Sequence, residues 1–145
     1  MHTRVRPGHA RPCRPNQPMR LLVVEDSSLL RKMFGLAFPQ QFHHLGQAEN
    51  GRMAIEMLEQ ADRPFDAVLL DLRMPDMNGI EFIRALRRLP AHQSTPIVLT
   101  TAEADESELL QEATRLGVAA VVKKPWTPHK LRLLVEQIVV NPPMG

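Results

Sequence analysis

The run Ala67-Val68-Leu69-Leu70-Asp71-Leu72-Arg73-Met74-Pro75-Asp76-Met77-Asn78-Gly79 decides how the rest of the chain is read. Four apolar residues lead into one carboxylate, and turn-forming residues follow at once. So short an apolar run, preceded by Pro64-Phe65-Asp66, predicts a strand buried on both faces. Asp71 then stands at the strand's carboxyl end. In an open parallel α/β sheet, ligands bind just beyond that edge. A lone strand-end aspartate is more often a cap or turn residue, so Asp71 carries chemistry only if other segments supply partners.

Working outward, strand and helix patterns alternate. Leu21-Leu22-Val23-Val24 is a short apolar run ending in Glu25-Asp26, and Ser27 or Ser28 can cap the helix that follows. Leu30, Met33, Phe34 and Ala37 recur at helical spacing until Pro39. Leu45 to Ala48 reads as a weak second strand. Asn50 then precedes a helix striped by Ala54, Met57, Leu58 and Ala61. After the opening stretch, Phe82, Leu86 and Leu89 stripe a third helix that stops at Pro90. Ile97 to Thr100 is a fourth strand ending in Thr101, and Leu109, Ala113 and Leu116 stripe a fourth helix closed by Gly117. Ala119 to Val122 is a fifth strand, followed by Lys123-Lys124-Pro125-Trp126. Leu131, Leu134, Val135 and Ile138 stripe the last helix, and Pro142-Pro143 follows it. Five strands alternating with five helices predict a doubly wound α/β domain.

Size and charge agree with one such domain. The chain has 145 residues, 43% of them hydrophobic, an ordinary share for a globular protein. No apolar run approaches the roughly 20 residues that span a bilayer, and the basic N-terminus lacks the apolar segment of a secretory signal. The single cysteine, Cys13, cannot form an internal disulfide, which suits a reducing cytoplasm. Residues 1–18 hold Arg4, Arg6, Arg11 and Arg14 and no acid; taking those four from the 18 basic residues leaves 14 against 16 acidic ones over 19–145. The globular part is therefore slightly acidic and gives no reason to expect nucleic acid. The division expected is a disordered, basic, Pro-rich tail over 1–18, one domain over 19–141 and a short tail over 142–145.

Four predicted strand ends carry polar groups: Glu25-Asp26, Asp71, Thr101 and Lys124. A parallel sheet brings these ends to one edge. Three carboxylates gathered there repel unless a cation offsets them. Oxygen-only donors suit Mg²⁺, and the absence of Cys and His from these ends argues against zinc. A carboxylate beside Mg²⁺ can attack a phosphoryl group and form an acyl phosphate, with a lysine offsetting charge and a hydroxyl such as Thr101 hydrogen-bonding a phosphoryl oxygen. Singly, each group reads as a turn, a cap or a solvated strand end; their conjunction favours the site.

Together, Val23-Val24-Glu25-Asp26, Leu70 to Gly79, Leu99-Thr100-Thr101-Ala102-Glu103-Ala104 and Lys124-Pro125-Trp126-Thr127 resemble the receiver domain of bacterial two-component response regulators, of the stand-alone, chemotaxis-regulator-like type, over about residues 20–140. The resemblance implies a flavodoxin-like sheet in the order 2-1-3-4-5. It implies that Asp71 accepts a phosphoryl group from a sensor histidine kinase or phosphotransfer protein. It implies Mg²⁺ held by Asp26, Asp71 and the Arg73 carbonyl, with Glu25 acting through water. Thr101 would contact the phosphoryl group and Lys124 would pair with it. The family's Lys-Pro bond is commonly cis, which would aim Lys124 inward. Output would pass to a downstream protein through the fourth helix, fifth strand and fifth helix, without direct DNA binding and without a membrane.

One position departs from the family pattern. An aromatic residue often stands three residues before the lysine, and here it is Val121. Two other functions compete: a phosphorelay intermediate or phosphate-independent interaction module, and a haloacid-dehalogenase-like phosphatase. The phosphatase wants a second Asp two residues after the nucleophile, where this chain has Arg73. Arg73 and Glu103 flank the site at positions that, by the resemblance, tune hydrolysis. The histidines read as surface residues, with His43-His44 in a loop, and Trp126 reads as packing against the start of the last helix. Met53, Met57, Met74 and Met77 read as core or loop filler.

Overall fold

The computed structural model describes residues 17–74 and 76–141. Cys13, Pro75, most of the N-terminal tail and residues 142–145 lie outside the described residues, as does the expectation of disorder over 1–16. The elements run β1 (Arg20–Val24), α1 (Ser28–Ala37), β2 (His44–Ala48), α2 (Gly51–Gln60), β3 (Ala67–Asp71), α3 (Gly79–Arg88), a 3₁₀ turn (Pro90–His92), β4 (Ile97–Thr101), α4 (Glu108–Arg115), β5 (Ala120–Lys123) and α5 (Pro128–Val140). All strand pairs are parallel, in the order β2-β1-β3-β4-β5. No helix among the described residues is long and apolar enough to cross a membrane.

β3 is buried along its whole length because helices cover both faces of the sheet. Alternate residues feed two cores. Leu22, Val24, Val68, Leu70, Ile97 and Leu99 pack with α2, α3 and α4. Leu21, Val23, Ala67, Leu69 and Val98 pack with α1 and α5. This period-2 split fixes the strand register, since a one-residue slip would exchange the two faces.

The helix starts follow local chemistry. Ser27, Asn50, Asn78, Ser107 and Thr127 each accept a backbone N–H with the side chain at their helix N-terminus. Asn78 and Glu81 complete a capping box at α3. The turn from β3 into α3 closes through Gly79 N–H donating to Leu72 O at 2.9 Å. A Cβ on Gly79 would lie 2.9 Å from Leu72 Cα, so this approach requires glycine. Gly117, at φ +94°, ends α4 as expected.

Several expectations need correction. β5 is displaced by one residue from 119–122 because its register is set by Val98 opposite Ala120 and Thr101 opposite Lys123. His44 begins β2 instead of lying in a loop. His92 is buried, not on the surface: its Nδ1 meets Thr95 Oγ1 at 3.2 Å inside the turn that follows α3. His43 is half-buried, and its Nδ1 accepts the Met19 N–H at 3.1 Å. Met53 is exposed, not core filler. Trp126 does pack at the start of α5, as expected: it is buried in one core with Leu131, and its ring centroid is also 4.6 Å from that of Phe34 on α1.

Candidate functional site

The carboxyl ends of β1, β3 and β5 deliver acids and an amine to one place. Glu25 follows β1, and its N–H donates to Ala48 O at 3.0 Å, which extends the β1–β2 ladder by one bond. That backbone bond holds the side chain inside, so Glu25 is buried next to solvent-facing Asp26. Asp71 ends β3 and is 6% exposed. One oxygen from each of Glu25, Asp26 and Asp71 lies within 4.8 Å of the others.

Lys124 enters from beyond β5. Its N–H donates to Thr101 O at 2.8 Å, and the Lys124-Pro125 bond is cis, as the resemblance implied. The Lys124 amine lies 3.3 Å from Glu25 Oε1 and 3.5 Å from Asp71 Oδ1. Lys124 thus pairs with two of the three clustered acids. Glu25 Oε1 is buried and makes no hydrogen bond of good geometry, while Oε2 accepts the Ser27 N–H at 3.1 Å.

The electrostatics follow from this crowding. Burial, then the Asp71 charge, push the Glu25 carboxyl up from 4.5 to about 7, against the pull of the Ser27 N–H and Lys124. Burial likewise raises Asp71, opposed by Lys124 and by the Arg73 N–H, which donates to Asp71 Oδ1 at 3.3 Å. Both carboxyls rise chiefly because they are buried, and Lys124 offsets this only in part. An all-oxygen donor set that includes two buried carboxylates fits a hard divalent cation.

Thr101 stands at the same rim, but in this structure its hydroxyl oxygen accepts the Glu103 N–H at 2.9 Å. Thr100, the register partner of Asp71, is buried with its hydroxyl unpaired. The Arg73 side chain is 71% exposed and turns to Glu103, with Nε and Nη2 donating to Oε2 and Oε1 at 2.5 and 3.3 Å. Sequence reading singled out both residues as flanking the site, but not their pairing. The pairing links two loops, for which no periodicity exists to read.

Residues 21–136 match the model of the response regulator receiver domain. The chain is 40% identical over 119 residues to regulatory protein AtoC of Escherichia coli, covering 81% of this chain and 24% of that protein's length. It is 33% identical over 121 residues to the chemotaxis protein CheY of Pseudomonas aeruginosa, covering 83% of this chain and 95% of CheY. The solved structure of Vibrio cholerae CheY4 superposes with a TM-score of 0.73 at 31% identity, covering 85% of this chain and 98% of that one. With the sheet order, the acid cluster and the inward lysine already in place, these likenesses establish that the chain belongs to the response regulator receiver domain family.

Proposed function

We propose that the chain is a phosphorylation-controlled switch in which Asp71 is the phosphoacceptor. A carboxylate oxygen of Asp71 attacks the phosphorus of a phosphohistidine on a sensor kinase or phosphotransfer protein. The P–N bond breaks, its electron pair stays with the imidazole, which takes up a proton, and an acyl phosphate remains on Asp71. The Lys124 amine offsets charge on the transferring group, and the Thr101 hydroxyl donates to one of its oxygens. Glu25, Asp26, Asp71 and the Arg73 carbonyl are the residues that would hold Mg²⁺, Glu25 through water. The bound cation would offset phosphoryl charge. Self-phosphorylation from small donors and slow self-dephosphorylation are the most catalysis expected. The phosphorylated form would alter binding of a downstream protein at the α4–β5–α5 face, in the cytoplasm, without direct DNA contact.

The observation that carries this reading is the Lys124 amine 3.5 Å from Asp71, inside a cluster of three acids. Incubation with Mg²⁺ and acetyl phosphate, followed by intact mass, tests it. A single phosphoryl adduct on the wild type, absent in Asp71→Ala, is expected. Failure to form an adduct with any donor or kinase would favour a phosphate-independent interaction module, and rapid turnover of phosphate esters would favour a phosphatase.

A further inference from the structure

Glu103 is the hub of the loop between β4 and α4. Its carboxylate takes two N–H groups of Arg73 and the Ser107 hydroxyl, the last at 2.7 Å. Its own N–H donates to Thr101 Oγ1, and its carbonyl accepts from Lys123 Nζ. Ser107 is in turn the N-cap of α4, its oxygen accepting the Leu110 N–H at 3.3 Å. A continuous path of polar contacts therefore runs from the loop after β3, through Glu103 and Ser107, to the first turn of α4. Val121 and Lys123 of β5 both line a groove of about 560 Å³ against α4, and Val121 is short and stiff at χ1.

The Arg73 guanidinium belongs to the residue whose N–H already touches Asp71 Oδ1. It is mostly exposed, always charged, and built for bidentate anion binding. A phosphoryl group on Asp71 would bring roughly two negative charges to that spot, against one on Glu103. Charge-assisted, forked Arg–phosphate bonds are among the strongest that side chains make. We propose that Arg73 changes partner when Asp71 is phosphorylated, leaving Glu103 for the phosphoryl oxygens, and that the released Glu103 loosens the β4–α4 loop and the N-cap of α4. Arg73 is thus a positioning residue that reports the state of Asp71 to α4. This rests on Asp71 being the phosphoacceptor.

Hydrogen exchange of the Glu103 and Leu110 amides, followed by NMR on the full chain with and without Mg²⁺ and excess acetyl phosphate, tests the exchange of partners. In the wild type, loading is expected to speed both amides. In unloaded Arg73→Gln both are expected to exchange about two- to fivefold faster than in the unloaded wild type, as the loss of an exposed ion pair allows, with little further change on loading. Glu103→Gln should show the same unloaded behaviour, and the double variant should add nothing. Arg73→Lys, which keeps the charge but not the fork, should fall between. Arg73→Gln amides that match the wild type when unloaded, and respond fully on loading, would overturn the partner change while leaving the Asp71 reading intact, since intact mass still shows the adduct. No adduct on the wild type would overturn both.

Discussion

At the amino end of the sheet, cations meet carbonyl oxygens and a ring. Arg20 N–H donates to Asp66 Oδ2 at 2.7 Å, its guanidinium reaches the Pro64 and Arg63 carbonyls at 3.3 Å, and it lies 5.2 Å above the Phe65 ring. Arg87 donates to the His92 and Thr95 carbonyls at 3.0 and 2.7 Å, and His43 takes the Met19 N–H. At the carboxyl end, Lys124 pairs with two of three clustered acids, Arg31 turns to the Glu25 carbonyl and Glu49, and the buried Thr100 hydroxyl makes no hydrogen bond. The same sheet thus gathers a cluster of three acids at one rim, and none is found at the other among the described residues. A buried polar atom without a partner costs about 1–3 kcal/mol. Acids clustered at one rim leave that rim open to a ligand that brings positive charge.

Opposite signs at the two rims would sharpen this contrast, and equal signs would break it. The largest effect is expected from Asp66→Ala, which strands the Arg20 N–H at the amino rim and should cost about 2 kcal/mol in denaturant melts. Asp71→Ala removes a repelling carboxylate and should leave the metal-free protein at neutral pH as stable or more stable, by about 1 kcal/mol, or roughly 3 °C in melting temperature. Asp71→Ala losing as much stability as Asp66→Ala would show that the two rims are alike.

Titration separates the rims next. The folded Glu25 carboxyl keeps its proton up to about pH 7, whereas the unfolded one gives it up near 4.5. That group's stabilisation is complete below pH 4.5 and disappears as pH rises through 7, by at most about 3 kcal/mol. In metal-free melts, Glu25→Gln should match the wild type near pH 5 and exceed it at pH 8. Burial lowers His43 at the other rim, with Glu136 opposing and Arg132 assisting. Its stabilisation is present above pH 6.5 and is lost as pH falls through its depressed value. His43→Ala should therefore cost about 1 kcal/mol at pH 8 and less at pH 5, the smallest effect and of opposite slope.

The fold was legible wherever one physical rule acted alone. Val68-Leu69-Leu70 could only be a strand covered on both faces, and Phe82 and Leu86 could only face a core. Glu25, Asp26, Asp71 and Lys124 were legible because parallel strands bring their ends together whatever the loops do. Where partners come from separate segments, the sequence was silent. His92 is buried because the Thr95 hydroxyl meets its ring and Arg87 takes its carbonyl, an arrangement with no period. The Arg73–Glu103 pair and the one-residue placement of β5 likewise depend on which loops and strands become neighbours in space.

The three-carboxylate cluster at the carboxyl rim is tested most directly by melting the protein with and without millimolar Mg²⁺ across pH. Magnesium is expected to raise the melting temperature at pH 8, to do so less at pH 5 where Glu25 holds its proton, and to have almost no effect on Asp71→Ala. A magnesium shift of equal size at both pH values and in Asp71→Ala, or no shift at pH 8, would contradict a site built from these three carboxylates.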